Sequence, residues 1–543
     1  MKERMYKQLK KQKMKKIFSL LLGCIMVCNF SACSDDDYTD KYADPGKTST
    51  ASCSKLMTGV FYKGARWSYN GYWRQFTWEN VVGGKFAQTF GFTNIDGSRY
   101  SINDSYANNR WEDFYDVLTQ FRELQANYEA LGNVEKELNK VFYYAAEVFV
   151  YDQLAQVIDA FGDVPFSKAG YLTVTGDLVG SYASYDSATD LYTMMLDRLG
   201  VLSTELQNVP SVSGFASQDF LNKGDLNKWV KYCNSLRLRL ATRVASQGDL
   251  ASKGQTVIAE VLNGNNPLTT TFDDNMVGLV IKGTGSYHAA GGLDFGDEFR
   301  DGFKDHSRAS QKMLDVLKDD PRLVIMYSKN AQGGYKGYSP RESYADQVSN
   351  GNLAEAVRVY SRIDSTTVIF NRNLKSPIMT AAEVNFLKAE AYQRGWANGN
   401  AKDAFVNGVL ESTKFYYDLN NDADNSQLNA SPIRVVDPPA DSEVIAYAEA
   451  MWDASSNKIE LILTQKWVNF GYMQATQAWN DVRRTGYPEL YFESDPTAAV
   501  VKTPPNRIMY PNSERAYNEA NYRAQVAKMP NGDDYYTKLF WAK

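Results

Sequence analysis

The sequence predicts a mainly α-helical protein with long loops and a few short strands. Three observations lead there. Apolar residues recur at helical spacing in five separate blocks, helix-capping residues stand at or near several of their starts, and two glycine-rich intervals lie between them.

The first block runs through Leu138, Val141, Phe142, Ala145, Val148 and Phe149 to Ile158, and Gly162-Asp163-Val164-Pro165 stops it. Ser187 opens a second, with Leu191, Met195, Leu199, Leu202 and Leu206 on one face. Asp225 caps a third, whose buried stripe is Leu226, Trp229, Cys233, Leu236, Leu240 and Val244. Thr380-Ala381-Ala382-Glu383 fits a capping box ahead of Val384, Leu387 and Ala391. The last holds Ile459, Ile462, Trp467, Phe470 and Met473. These stripes are core, not cofactor sites. Small residues at Ala382, Ala389, Ala391, Ala401 and Ala404 allow two helices near 380–416 to approach closely, as tetratricopeptide repeats require. Residues 264–303 and 328–376 are loops rich in Gly, Ser and Tyr, with β-branched runs such as Thr366-Thr367-Val368-Ile369.

The N-terminus indicates secretion. Met1–Lys16 carries eight Lys or Arg and one Glu, and an apolar run from Ile17 to Phe30 closes on Ser31-Ala32-Cys33. That pattern reads as a signal peptide over residues 1–32, too short in its apolar run to span a bilayer. Cys33 becomes a lipid anchor, because acylation of a thiol placed there fastens a soluble domain to a membrane. Residues 33–54 are polar and form a tether, and 55–543 form a single domain. Loss of residues 1–32 lowers the net charge by seven, from −5 to −12. Such an acidic chain lacks the basic footprint that nucleic acid or anionic lipid requires, so the anchor is its one membrane contact. Cys53 and Cys233 are expected to be free and partly buried.

No catalytic motif stands out. With His288 and His306 alone, no H-E-x-x-H zinc site can form, and neither a G-x-S-x-G elbow nor a Walker A loop occurs. Asp418-x-Asn420-x-Asp422 begins like a calcium loop. It places Ala423 and Asn429 where Gly and a bidentate Glu belong, so it reads as a polar loop. No cofactor and no metal are expected.

Six segments in order resemble the SusD/RagB family of nutrient-binding lipoproteins, in its second SusD-like branch. They are VYDQLAQVIDAFGDVPFSKAGY (150–171), GDLNKWVKYCNSLRLRLATRV (224–244), DDPRL (319–323), SPIMTAAEVNFLKAEAYQRG (376–395), NFGYMQATQAWNDVRRTGYPEL (469–490) and RIMYPNSE (507–514). Ser34-Asp35-Asp36-Asp37 resembles the acidic signal that sends such lipoproteins to the outer face. The resemblance implies a frame of tetratricopeptide-like helix pairs with ligand-binding loops on one surface, on the outside of the outer membrane. It implies a partner too, a SusC-like TonB-dependent barrel that receives a captured oligosaccharide or, in the RagB branch, a peptide. A surface glycoside hydrolase is the reading from another class, since two carboxylates suffice for that chemistry.

Glycan binding needs aromatic faces beside polar groups. The densest such stretch, residues 67–80, supplies Trp67, Tyr69, Trp73 and Trp78 around Gly71. Two readings fit it, a presented platform or the buried face of a helix. Tyr287 and His288 in the glycine-rich loop, and Arg372 between Asn371 and Asn373, are further candidates, with Tyr335 and Tyr338 behind them.

Overall fold

In the computed structural model the described residues are 51–69, 71–92, 99–210, 212–264, 266–278, 307–342, 359–369, 371, 373–423, 434–495 and 498–543. Among the described residues, twelve helices of eight residues or more carry the architecture: α1 (Cys53–Ser68), α2 (Asp104–Glu129), α3 (Asn133–Phe161), α4 (Ala188–Gln207), α5 (Leu226–Val244), α6 (Ala251–Asn263), α7 (Ala381–Gln393), α8 (Ala401–Asn421), α9 (Asp441–Ala454), α10 (Lys458–Phe470), α11 (Ala475–Thr485) and α12 (Glu519–Val526). A π-helical segment, Tyr72–Gly84, follows α1.

Neighbouring helices pack as pairs: α2 on α3, α4 on α5, α5 on α6, α7 on α8 and α8 on α9, while α7 also meets α10 and α5. The expected mainly helical frame is therefore what the chain adopts. Small residues set the closest approaches. A side chain at Gly64 would strike the Phe149 ring where α1 meets α3, and one at Gly408 would strike Phe386 where α8 meets α7. Phe386, Phe405, Val409, Val444, Trp452 and Ile462 form the core shared by α7, α8, α9 and α10.

The cap residues act as their chemistry demands. The side chain of Ser187 accepts from the amide of Asp190, and that of Asp225 from the amide of Lys228. Gly162 ends α3 with a φ of 92°, open to glycine alone without strain. At α7 the expected capping box is half made. Thr380 caps the amide of Glu383, but the Glu383 carboxylate is taken by the Arg239 guanidinium, with two bonds of 2.6 Å.

Several boundaries differ from expectation. Leu138 is exposed, since α3 begins at Asn133 and its first turns stand clear of the core. The last block ends early, because Gly471 (φ 46°) stops α10 and leaves Met473 in the turn before α11. The β-branched run Thr366–Ile369, expected in a loop, lies in a π-helical turn. Asp418 and Asn420 lie inside α8, and Lys375 pairs with both Asp418 and Asp422, so the sequence read as a polar loop is a helix end. Both Cys53 and Cys233 are free thiols and fully buried.

Strands are short. β1 (Phe90–Phe92), β3 (Ser307–Ala309), β5 (Arg362–Ile363) and β4 (Tyr327–Ser328) form one antiparallel sheet in the order β1-β3-β5-β4. β2 (Met276–Val277) pairs with β6 (Pro377–Met379) in another.

Charges are buried between helices. Arg484 on α11 holds Glu390 on α7 through two bonds of 2.8 Å, and Asp481 lies between Arg484 (3.1 Å) and Lys466 on α10 (2.9 Å). Burial pushes the Glu390 carboxyl up, but Arg484, Lys466 and Arg394 outweigh it and hold the pKa below its ordinary value. A carboxylate with a depressed folded-state pKa adds stability that is complete above its unfolded pKa and is lost as pH falls through the folded one. Glu390→Gln is accordingly expected to lower unfolding free energy near neutral pH by about 1.5–3 kcal/mol, since it removes one of the two carboxylates that hold the buried Arg484 and leaves Asp481 as the other. The deficit should shrink below about pH 4. Urea titrations of both proteins across pH check the size and the sign.

Candidate ligand-binding surface

The aromatic stretch after α1 is core. Trp67 and Trp78 are 3% and 2% exposed, and Tyr69 is buried with them. The Trp67 indole donates to Asp113 on α2 (2.7 Å) and meets Trp78 edge-on at 5.8 Å, and Trp78 stacks toward Phe161 on α3. The polar members of the stretch are equally occupied. Arg74 donates to the carbonyls of Pro377 (2.8 Å) and Met473 (3.3 Å), and Gln75 to that of Tyr472 (2.5 Å). Glu79 accepts from the amide and hydroxyl of Thr476 at the start of α11. Gly83 lets this segment lie directly on α11, where a Cβ would come within 2.4 Å of the Thr476 amide. The presented platform is thus corrected to a buried hub for Trp67, Tyr69 and Trp78. Trp73 alone stays half-exposed, with the Arg66 guanidinium 4.5 Å from its ring centre. Tyr287, His288 and Arg372 lie outside the described residues.

The hub leads straight into β1, and around the four-stranded sheet a different set of aromatics gathers. In β1–β3 the register pairs Phe90 with Ala309, Gly91 with Arg308 and Phe92 with Ser307. Tyr338 adds to the far side of β3, donating its amide to Ala309 (2.8 Å) and accepting from Gln311 (2.8 Å). Gly91 makes room for it, since a Cβ there would lie 2.4 Å from the Tyr338 Cβ. The Tyr338 ring meets Tyr360 edge-on at 6.1 Å.

The segment 491–495, beyond α11, closes the cluster. Tyr100 donates to the carbonyl of Glu493 (2.6 Å) and packs on Phe492, while Gln88 donates to the carbonyl of Tyr491. Tyr491 is 43% exposed, with Arg341 4.6 Å from its ring centre and its hydroxyl donating to Glu493. Tyr338 and Phe492 are half-buried, and Arg341, Lys336 and Glu493 are exposed. Burial pushes the Tyr338 hydroxyl up to about 12, with Arg99 opposing and Glu342 and Asp495 adding to the rise, so it stays a neutral donor and acceptor.

Half-exposed rings beside charged hydrogen-bonding groups suit a ligand with apolar faces and hydroxyls. Sequence reasoning gave Tyr338 little weight and passed over Tyr100, Arg341, Tyr360 and Tyr491. The one local signal was the spacing of glycines and tyrosines in 333–338, which marks a turn but not its neighbours.

A cavity of about 500 Å³ lies elsewhere, lined by Phe272 and residues of α8 and α9. On its rim Lys414 pairs with Asp441 (3.0 Å), and Asp418 with Lys375. Among the described residues no helix is long and apolar enough to cross a membrane.

Trp78→Ala is expected to cost about 3–5 kcal/mol of stability, the usual range for emptying a buried tryptophan site. Tyr491→Ala should stay within about 0.5 kcal/mol, as for an exposed side chain. Chemical denaturation of the two variants separates core from surface.

The chain covers 90% of itself and 100% of a chitin-binding protein of solved structure, at 23% identity and a TM-score of 0.72. A chitin-binding SusD homologue from Flavobacterium johnsoniae aligns at 21% identity and a TM-score of 0.68, over 90% of this chain and 98% of that one. A SusD homologue from Bacteroides uniformis aligns at 21% identity and a TM-score of 0.67, over 91% and 100%. No curated protein matches the chain. Residues 45–511 match the model of the SusD-like family described as starch-binding and associating with the outer membrane, and the chain belongs to that family.

Proposed function

We propose that this protein is a surface lipoprotein that binds a glycan without cleaving it and passes it to a SusC-like TonB-dependent barrel. The observation that carries the reading is the surface of Tyr338, Tyr491, Phe492 and Arg341, in a family described as starch-binding. Tyrosine rings supply flat apolar faces for sugar rings, and Arg341 and Glu493 supply hydrogen bonds for hydroxyls.

Export and anchoring follow from the N-terminus. The basic and apolar run of residues 1–32 serves as the signal, Cys33 as the acylated residue, and the polar stretch after it as the tether to the domain that starts with α1. The chitin bound by two structural relatives makes N-acetylglucosamine oligomers the first ligands to try, followed by starch fragments.

Isothermal titration of the purified chain against oligosaccharides and peptides tests the reading. Saturable binding of one glycan class with no breakdown product is the expected result. Tyr338→Ala and Tyr491→Ala should each weaken it by about 0.5–1.5 kcal/mol, up to roughly tenfold, while both variants stay folded. Binding to peptides alone would move the ligand class, and hydrolysis of any glycan would overturn the non-enzymatic reading.

A further inference from the structure

The RIMYPNSE segment, residues 507–514, borders a further cavity beside the start of α2. Its volume is about 330 Å³, the small end of the roughly 300–1,000 Å³ usual for small-molecule sites. Ile102, Ala107, Val501 and Ile508, all buried, make its floor apolar. Polar groups stand at the mouth, where Asp104, Asn512 and Arg515 are exposed and Tyr535 is half-buried.

The walls are fixed in advance. The Ile508 amide donates to the carbonyl of Ala160 near the end of α3 (2.8 Å), and Arg507 donates to the carbonyl of Phe161 (2.8 Å) and to Asp533 (2.7 Å). The Asn506 amide holds Tyr535 beside them through its carbonyl (2.7 Å).

The mouth, by contrast, has hydrogen-bonding capacity left over. Among the described residues no hydrogen bond engages the Asp104 carboxylate, the Asn512 side chain or the Tyr535 hydroxyl, while Arg515 pairs with Asp533 (3.3 Å). Burial raises the pKa of the Tyr535 hydroxyl, with Asp104 and Asp533 adding to the rise, so it stays protonated and able to donate. Lys414 and Asp418 on the rim of the larger cavity already hold partners.

Place and chemistry together narrow the ligand. Tyr100 of the candidate surface donates to Glu493 (2.6 Å), the Arg99 amide to the Asp495 carboxylate, and the Asp495 amide to the Lys502 carbonyl (2.8 Å). These segments carry Ile102 and Val501 into the cavity floor, and Ile102 lies at most about 7 Å of chain from Tyr100. A sugar bearing hydroxyls alone would lose their hydrogen bonds on such a floor. An acetamido group offers it a methyl, with a carbonyl beside the methyl to accept from Tyr535.

We propose that this cavity takes one N-acetylated sugar residue, its acetamido methyl on the apolar floor and its ring hydroxyls at the mouth. The proposal rests on the glycan-binding reading and gives that reading a basis for choosing among glycans.

Chitopentaose and cellopentaose share linkage and length and differ in carrying acetamido or hydroxyl at the second carbon. Isothermal titration of the full chain should find chitopentaose bound about tenfold tighter. Ala107→Leu, which fills the floor, should bring that ratio near one. Tyr535→Phe, which leaves the packing in place, should lower it about threefold and stands alone if the first variant fails to fold. Tyr491→Ala should weaken both glycans and keep the ratio. Equal affinity in the unaltered chain, or a ratio unmoved in the folded variants, would overturn the cavity and leave the glycan-binding reading intact. If neither glycan binds, that reading fails, and saturation-transfer NMR with methyl N-acetyl-β-glucosaminide decides the cavity by itself. Transfer centred on the acetamido methyl and lost in Tyr535→Phe would support the cavity, and absence of transfer would overturn it.

Discussion

Arg239, on α5, donates two hydrogen bonds of 2.6 Å to Glu383 on α7, one of 2.8 Å to the carbonyl of Ile378 in β6, and one of 3.3 Å to Asp152 on α3. The Tyr232 hydroxyl completes Asp152 at 2.6 Å. Burial acts against the guanidinium charge, but Glu383 and Asp152 outweigh it and raise its pKa. Such a pair adds little net stability over an apolar contact of the same shape. What it adds is a large penalty for any other arrangement, since a displaced α7 leaves a charge buried and alone. From β6 the constraint travels on. Arg74 bonds the neighbouring carbonyl of Pro377, which fixes the π-helical segment, and that segment runs into β1 and the small sheet. The candidate surface therefore depends on a guanidinium buried deep in the helical frame.

The helical frame was legible because its signals are local. A serine or aspartate beside its own helix start, or a leucine every third or fourth place, needs no knowledge of distant chain, and Ser187, Asp225 and the stripe from Leu191 to Leu206 acted as written. Thr380 also did, but Glu383 found a stronger partner in Arg239 than in the amide three residues back. The aromatic stretch failed for the same kind of reason. Whether Trp67 and Trp78 face water or core is decided by Asp113 and Phe161, which sequence spacing does not place beside them. Tyr491 and Arg341 meet across about 150 residues of chain, and no local pattern announces that meeting.

The division of labour in the sequence is physical. Pairs such as α7 and α8 are held by a broad apolar core and by close approach at Gly408, which tolerates little change. The sheet is held by a few backbone bonds, with close approaches at Gly91 and Gly337 that let Tyr338 lie against it. Side chains on its rim meet few steric demands from the frame, so they can change without disturbing it.

The pairing of β1 with β3 joins residue 90 to residue 309, and β5 adds residue 362. Contacts of such sequence separation form late, because the loop-closure entropy must be met before their few hydrogen bonds return anything. Helix pairs close over short turns and form early. In a refolding chain, then, the frame would regain its helical signal before the small sheet regains its pairing, and mild denaturant would open the sheet while the helices persist.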